Sequence, residues 1–452
     1  MKNLYFCTFL AILLPATCSL AQATDQGIAL KTDSLLTDAV NRKLFSGQAI
    51  ISHKGKVIYS KQFGLSNSQT QKAIDKNTLF NIGSLNKQFT AEMIHQLVNE
   101  HKLAYSDKLN QYLHLFPDSL GDKITIQHLL DMKSGLGDYL NNPGFKVIEN
   151  TDFQLNDLLK LIQKEPLLFE PGTRKYYSNS GYAVLGGIIE KITGKSFEAN
   201  LIERIALPLG LKNMYYTKAE KEKQLNRASG TEIDMEGGKK NFDDISNSSP
   251  AGGIYTDGAD LLKFTEAKMN SKLPSGKHYG TGMFAGGTPL WNSVIYFDET
   301  HEFSFVVMAN TGNIADKIAR RLKSILSNEP VTPLELPDNM NLYRLIQEKG
   351  TGYIKDHIET LAKESNLPFD DRFLNYIGYQ FLNANKIDLA IQLFQINVEL
   401  FPKIANVYDS LAEGYLKKGD KQKALVNYKS ELAISPTNAN AKKMILDLEN
   451  GK

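Results

Sequence analysis

Cysteine is nearly missing from this 452-residue chain: the only two are Cys7 and Cys18, both close to the amino terminus. A chain starting beyond them has no disulfide, no thiolate nucleophile and no cysteine-held metal. Outside a reducing compartment its stability must come from a large buried core. An excess of charge of one sign is also absent. Lys and Arg number 52 against 50 Asp and Glu, a formal balance of +2, so no field is present that would gather nucleic acid. One long apolar run does exist, Leu4 to Leu20, between Met1-Lys2-Asn3 and Ala21-Gln22-Ala23. Small residues at that place suit a signal peptidase, so residues 1–23 are expected to be a signal peptide. The mature chain is then secreted or periplasmic, with no membrane span left after cleavage. An uncleaved N-terminal anchor is the alternative.

The length calls for two or three structural units. A helix is expected over Thr32–Leu44, followed by strands Gln48–Ser52 and Lys56–Lys61 around the turn His53-Lys54-Gly55. Between Ser293 and Met308 two β-rich runs flank Asp298-Glu299-Thr300-His301-Glu302 as a second hairpin, and a helix follows over Ala315–Leu326. Helical periodicity prevails from about Tyr112 to Leu211. Strands at both ends with helices between predict an α/β (α+β) unit over residues 24–329. It would have an antiparallel sheet flanked by helices and a mainly helical insertion at about 112–249. Pro330, Pro333 and Pro337 mark a linker at 330–340. Over 341–452 everything reads as helix. There Leu374, Ile377, Gly378, Phe381, Ala390, Phe394 and Pro402 recur 34 residues later as Tyr408, Leu411, Ala412, Tyr415, Ala424, Tyr428 and Pro436, which is the tetratricopeptide period. Two repeats match, and a degenerate pair over Leu342–Glu364 would supply a third layer.

Ser84-Leu85-Asn86-Lys87 is the one place where Lys follows Ser by three residues. Gly83 permits a tight turn after the extended Thr78–Ile82, and Gln88–Val98 reads as a helix, so Ser84 is expected at a helix N-terminus. Unpaired N–H groups and the positive dipole end there favour an alkoxide. The i, i+3 spacing sets the Lys87 amine on the hydroxyl's face, and apolar neighbours on both sides (Phe89, Met93 and Leu97; Ala91, Ile94 and Val98) would lower its pKa enough to make it a base. A serine cap beside a solvated lysine is the plain alternative. Tyr177-Ser178-Asn179, ahead of the helix Tyr182–Thr193, offers a phenol to relay the proton and an amide to hold Lys87 or substrate. Tyr139-Leu140-Asn141 is a second Tyr-x-Asn.

Together "TLFNIGSLNKQFTA", "ITIQHLLDMKSGLGDY", "PGTRKYYSNSGYAVLGGIIEKITGKSF", "PAGGIYTDGADLLKF" and "AGGTPLWNS", in this order over about Gly47 to Asn310, resemble the serine β-lactamase-related family. That family holds class C β-lactamases, DD-peptidases, esterases and amidases. The resemblance implies a β-lactamase/transpeptidase-like fold with its site between a sheet domain and a helical one. Ser84 would be the nucleophile, Lys87 its base and Tyr177 the acid/base, with Asn179 binding beside them. Gly286 and Gly287 would border the substrate, and the N–H groups of Ser84 and Gly287 would form the oxyanion hole. No metal or cofactor is implied. The third motif of the family normally begins with Lys or His, yet Phe284 stands there in Phe284-Ala285-Gly286-Gly287. Phe284 would then be an aromatic wall of the substrate site, turning preference from carboxylate-bearing donors to neutral ones. His278, in His278-Tyr279-Gly280, is the other candidate for the missing cation. The implied function is hydrolysis of a small-molecule or peptide ester or amide, with a possible protein partner for the repeats. An inactive penicillin-binding-like scaffold or sensor working through the repeats is the rival reading.

Overall fold

In the computed structural model, which describes residues 24–450 apart from 244, 246, 289, 313 and 365–367, both hairpins read from the sequence belong to one sheet. The expected signal peptide, with both cysteines, lies outside the described residues. The strands are Gly47–His53, Lys56–Phe63, Thr281–Thr288, Trp291–Asp298 and Phe303–Ala309. Their spatial order is 281–288, 291–298, 303–309, 47–53, 56–63, and every neighbouring pair is antiparallel. The sheet closes across the insertion where Gly47 faces Ala309 and His53 faces Phe303.

The inner strands are apolar nearly throughout because both their faces are covered. Phe303, Phe305 and Val307 point to one core with Val294 and Ile51. Val306 and Met308 point to the other with Ile295 and Ile50, the two-residue alternation of a strand. Helices Asp25–Asn41 and Ile314–Leu326 cover the first face. Gly258–Met269 covers the second, and its Phe264 ring meets Phe89 of the helix Asn86–Asn99 with centroids 4.2 Å apart. The amino-terminal helix starts earlier than its periodicity suggests, because the Thr24 hydroxyl accepts from the Gly27 N–H at 3.1 Å and caps it. The insertion is not wholly helical: strands Gly230–Ile233 and Lys239–Phe242 form a hairpin within it.

The carboxy-terminal segment is all helix. Asp338–Asp356, kinked at Gly350, and Ile358–Glu364 precede Asp371–Asn383, Ile387–Leu400, Ala405–Lys418, Lys421–Ile434 and Ala439–Glu449. Gly378 is small for a physical reason, since a Cβ there would lie 2.3 Å from the Phe394 ring. The expected linker lacks regular structure as far as Pro337, yet it is held down. Arg321 Nε donates to the Thr332 carbonyl at 2.8 Å, and Leu334 is buried in the first core. The helices also rest on the insertion's hairpin, where Met235 joins their core and the Tyr343 hydroxyl donates to Glu236 Oε1 at 2.6 Å. Among the described residues no helix is long and apolar enough to cross a membrane.

Candidate active site

The chain leaves the short strand Phe80–Asn81 and turns through Gly83 into one turn of 3₁₀ helix, Gly83–Leu85, ahead of the helix Asn86–Asn99. Gly83 has φ +50°, and a Cβ on it would lie 2.5 Å from the Gly287 nitrogen. Both the backbone conformation and the close approach of strand 281–288 therefore require glycine there. Ser84 sits on this tight turn, just before the helix.

Lys87, on the first helical turn, is 4% exposed. Its amine donates to Ser84 Oγ at 3.0 Å, Asn179 Oδ1 at 2.7 Å and the Ala251 carbonyl at 2.8 Å. Burial brings its pKa down to about 7, against the opposing pull of the Asp138 charge. The Tyr177 hydroxyl donates to the same Ser84 Oγ at 2.6 Å, and burial raises its pKa. Asn179 is oriented from behind, its Nδ2 donating to Asp138 Oδ2 at 2.7 Å. The helix Asn179–Thr193 that carries it is capped by Ser178 and ends on left-handed Gly194. The second Tyr-x-Asn is placed differently: Tyr139 is buried, with its hydroxyl 3.0 Å from Ser249 Oγ.

These groups open on a cavity of about 870 Å³. Gly286 and Gly287 line it on the sheet side with Ala285, Thr288 and Trp291, while Tyr139, Phe145 and Phe153 give the helical side an aromatic face. A Cβ on Gly286 would lie 2.6 Å from Ser84 N, so the strand runs directly against the Ser84 turn.

Two expected site residues are elsewhere. Phe284, read as a wall of the cleft, does not line it. Strand alternation puts its side chain on the inner face, where the ring stacks 6.1 Å from Phe297 and packs against the core. His278 lies on the surface, 3.3 Å from a Glu299 carboxylate oxygen, and does not line the cavity either.

The family described as Beta-lactamase matches residues 32–326, the sheet and its insertion together. This chain belongs to the beta-lactamase family. Among its relatives, the putative penicillin-binding protein PbpX of Bacillus subtilis (strain 168) is 32% identical over 255 residues, 56% of this chain and 62% of that protein. Esterase EstB of Burkholderia gladioli is 30% identical over 227 residues, 47% of this chain and 57% of EstB. The chain thus spans about three fifths of the length of each. The octameric penicillin-binding protein homologue from Pyrococcus abyssi superposes with a TM-score of 0.59 at 23% identity, covering 71% of this chain and 81% of that one, which shows the shared fold.

Within this beta-lactamase family fold, two partners of Lys87 escaped sequence reasoning. Ala251 acts through its carbonyl, which any residue would supply. Asp138 acts through Asn179, 41 positions away. Its one sequence signal is a carboxylate in the "SGLGDY" stretch. The inward turn of Phe284 also revises what a cation at that position would do. The ring lies over fully buried Lys268, whose amine is 5.3 Å from its centroid and 3.3 Å from that of Tyr279. Burial already brings the Lys268 pKa down to about 7. Phe284→Lys is expected to place a second amine beside it and to destabilise the fold by about 2–4 kcal/mol. Acylation by a β-lactam should not rise. Chemical denaturation and acylation rates check this, and a variant as stable as the parent with faster β-lactam acylation would return residue 284 to the cavity.

Proposed function

We propose that this chain is an exported serine hydrolase that cleaves an ester or amide through an acyl-enzyme on Ser84. One observation carries the reading: the Ser84 hydroxyl is within hydrogen-bonding distance of both the Lys87 amine and the Tyr177 phenol, at 3.0 and 2.6 Å, at the edge of the cavity. Ser84 Oγ attacks the carbonyl carbon as neutral Lys87 takes its proton, and the N–H groups of Ser84 and Gly287 receive the oxyanion. Collapse breaks the bond to the leaving alcohol or amine, which departs with a proton relayed through Tyr177. Water then adds to the acyl carbon as neutral Lys87 takes a proton from it, the Ser84 ester bond breaks, and that proton passes to Oγ as the acid leaves. Export rests on the apolar run and Ala21-Gln22-Ala23. Amino-terminal sequencing of the exported protein should therefore begin near Thr24, which caps the first helix.

The test is intact-mass measurement after exposure to a fluorophosphonate. The parent should gain one adduct and hydrolyse an aryl ester, while Ser84→Ala should do neither. A Ser84→Ala protein that still labels or turns over would place the nucleophile elsewhere.

A further inference from the structure

The side chains lining the cavity are one-sided in charge. Among the described residues that line it none is Lys, Arg or His, and the acidic ones are Glu149 and Asp316. Lys87 lies beneath Ser84 with its amine committed to Ser84, Asn179 and Ala251, so no lining side chain offers a donor charge to a substrate carboxylate. The acids stand on different walls. Glu149 follows the helix Pro143–Ile148 on the aromatic side. Asp316, in the first turn of Ile314–Leu326, is tied to the sheet, its N–H donating to Asn292 Oδ1 at 2.8 Å, and Asn292 pairs with Gly287 across the strands. Among the described residues Glu149 pairs with Lys146 at 3.2 Å and Asp316 with Arg320 at 3.3 Å, and both of these cations are 67% exposed. Such solvated pairs hold a carboxylate weakly and leave it able to face a ligand.

We propose that the preferred acyl donor carries a protonated amine, as an amino-acid ester or amide with a free amino group does, and that Asp316 and Glu149 select it over carboxylate-bearing donors. The inference rests on the serine hydrolase reading. A cleft whose lining side chains carry charge of one sign raises the local concentration of the opposite charge and lowers that of its own. The aromatic wall takes the apolar part of the donor, and the carbonyl lies between Ser84 and Gly287. Asp316 also suits the positive end of its helix, so the neutral isostere is the appropriate replacement.

The experiment compares three aryl esters of similar size: alanyl with a free amine, N-acetylalanyl, and monosuccinyl, which carry +1, 0 and −1. In the parent, kcat/KM is expected to fall about tenfold at each step at low salt, and the steps should shrink as salt is raised. In Asp316→Asn/Glu149→Gln the three values should lie within about threefold of one another, in a protein that a fluorophosphonate still labels at Ser84. A parent that labels at Ser84 but hydrolyses the three esters equally, or prefers the anionic one, overturns the inference and leaves the hydrolase reading standing. A parent that neither labels nor hydrolyses any of them overturns both.

Discussion

Replacing Lys87 by alanine is expected to lower kcat/KM for an aryl ester by about two to four decades, the usual worth of a positioned general base. The amine stands 3.0 Å from Ser84 Oγ, and burial holds its pKa near 7, so much of it is neutral at physiological pH. Only the neutral amine can accept the serine proton. Parent activity should therefore rise with pH through about 7 and level off above it, and this acid limb should vanish in the variant. Lys87→Arg sharpens the test, because a guanidinium keeps the charge and donates hydrogen bonds but does not deprotonate. It should be as impaired as alanine. A pH–rate profile across the neutral range decides the matter: a limb that survives in Lys87→Ala would assign the titration to another group.

The second large effect is expected from one methyl group. In Gly286→Ala the new Cβ would lie 2.4 Å from the Ile82 oxygen and the Leu85 nitrogen and 2.6 Å from the Ser84 nitrogen. All three are backbone atoms, which cannot rotate away. Either strand 281–288 retreats or the Ser84 turn moves, and both separate the Ser84 and Gly287 N–H groups. Loss of one aligned oxyanion donor typically costs about 10²–10³ in kcat, and overpacking costs roughly 1–3 kcal/mol of stability. Gly282→Ala on the same strand is the control. Its Cβ would meet the ring ends of Phe297 and Phe284 at 2.8 and 3.0 Å, side chains that can shift, so some stability should be lost but little turnover. Equal turnover in Gly286→Ala and the parent would remove Gly287 from the oxyanion hole.

Much of this arrangement was legible in the residue order. The β-rich runs between Ser293 and Met308 and the tight turn at His53-Lys54-Gly55 marked the hairpins, because strand composition and turn chemistry are local. Spacing alone set Lys87 beside Ser84, since three residues is close to one helical turn. The groups that escaped act at a distance or without a side chain: Asp138 through Asn179, Ala251 through its carbonyl. Glu149 and Asp316 share a cavity with Ser84 only because the sheet closes across the insertion. Phe284 was misread for another reason. The order of residues names the occupant of a strand position, whereas the register against strand 291–298 and the Lys268 helix decides which way it faces.

The three acceptors around Lys87 have a stereochemical consequence. As an ammonium the group is a tripod, with one hydrogen for each of Asn179 Oδ1, the Ala251 carbonyl and Ser84 Oγ. When it loses a proton, two hydrogens remain. The amide and carbonyl oxygens cannot donate in return, so they keep those two. The vacated leg, now a lone pair, is aimed at the one partner able to turn round and donate, the serine hydroxyl. Deprotonation therefore produces a base that already points at its target, with no rotational search left to slow the first step.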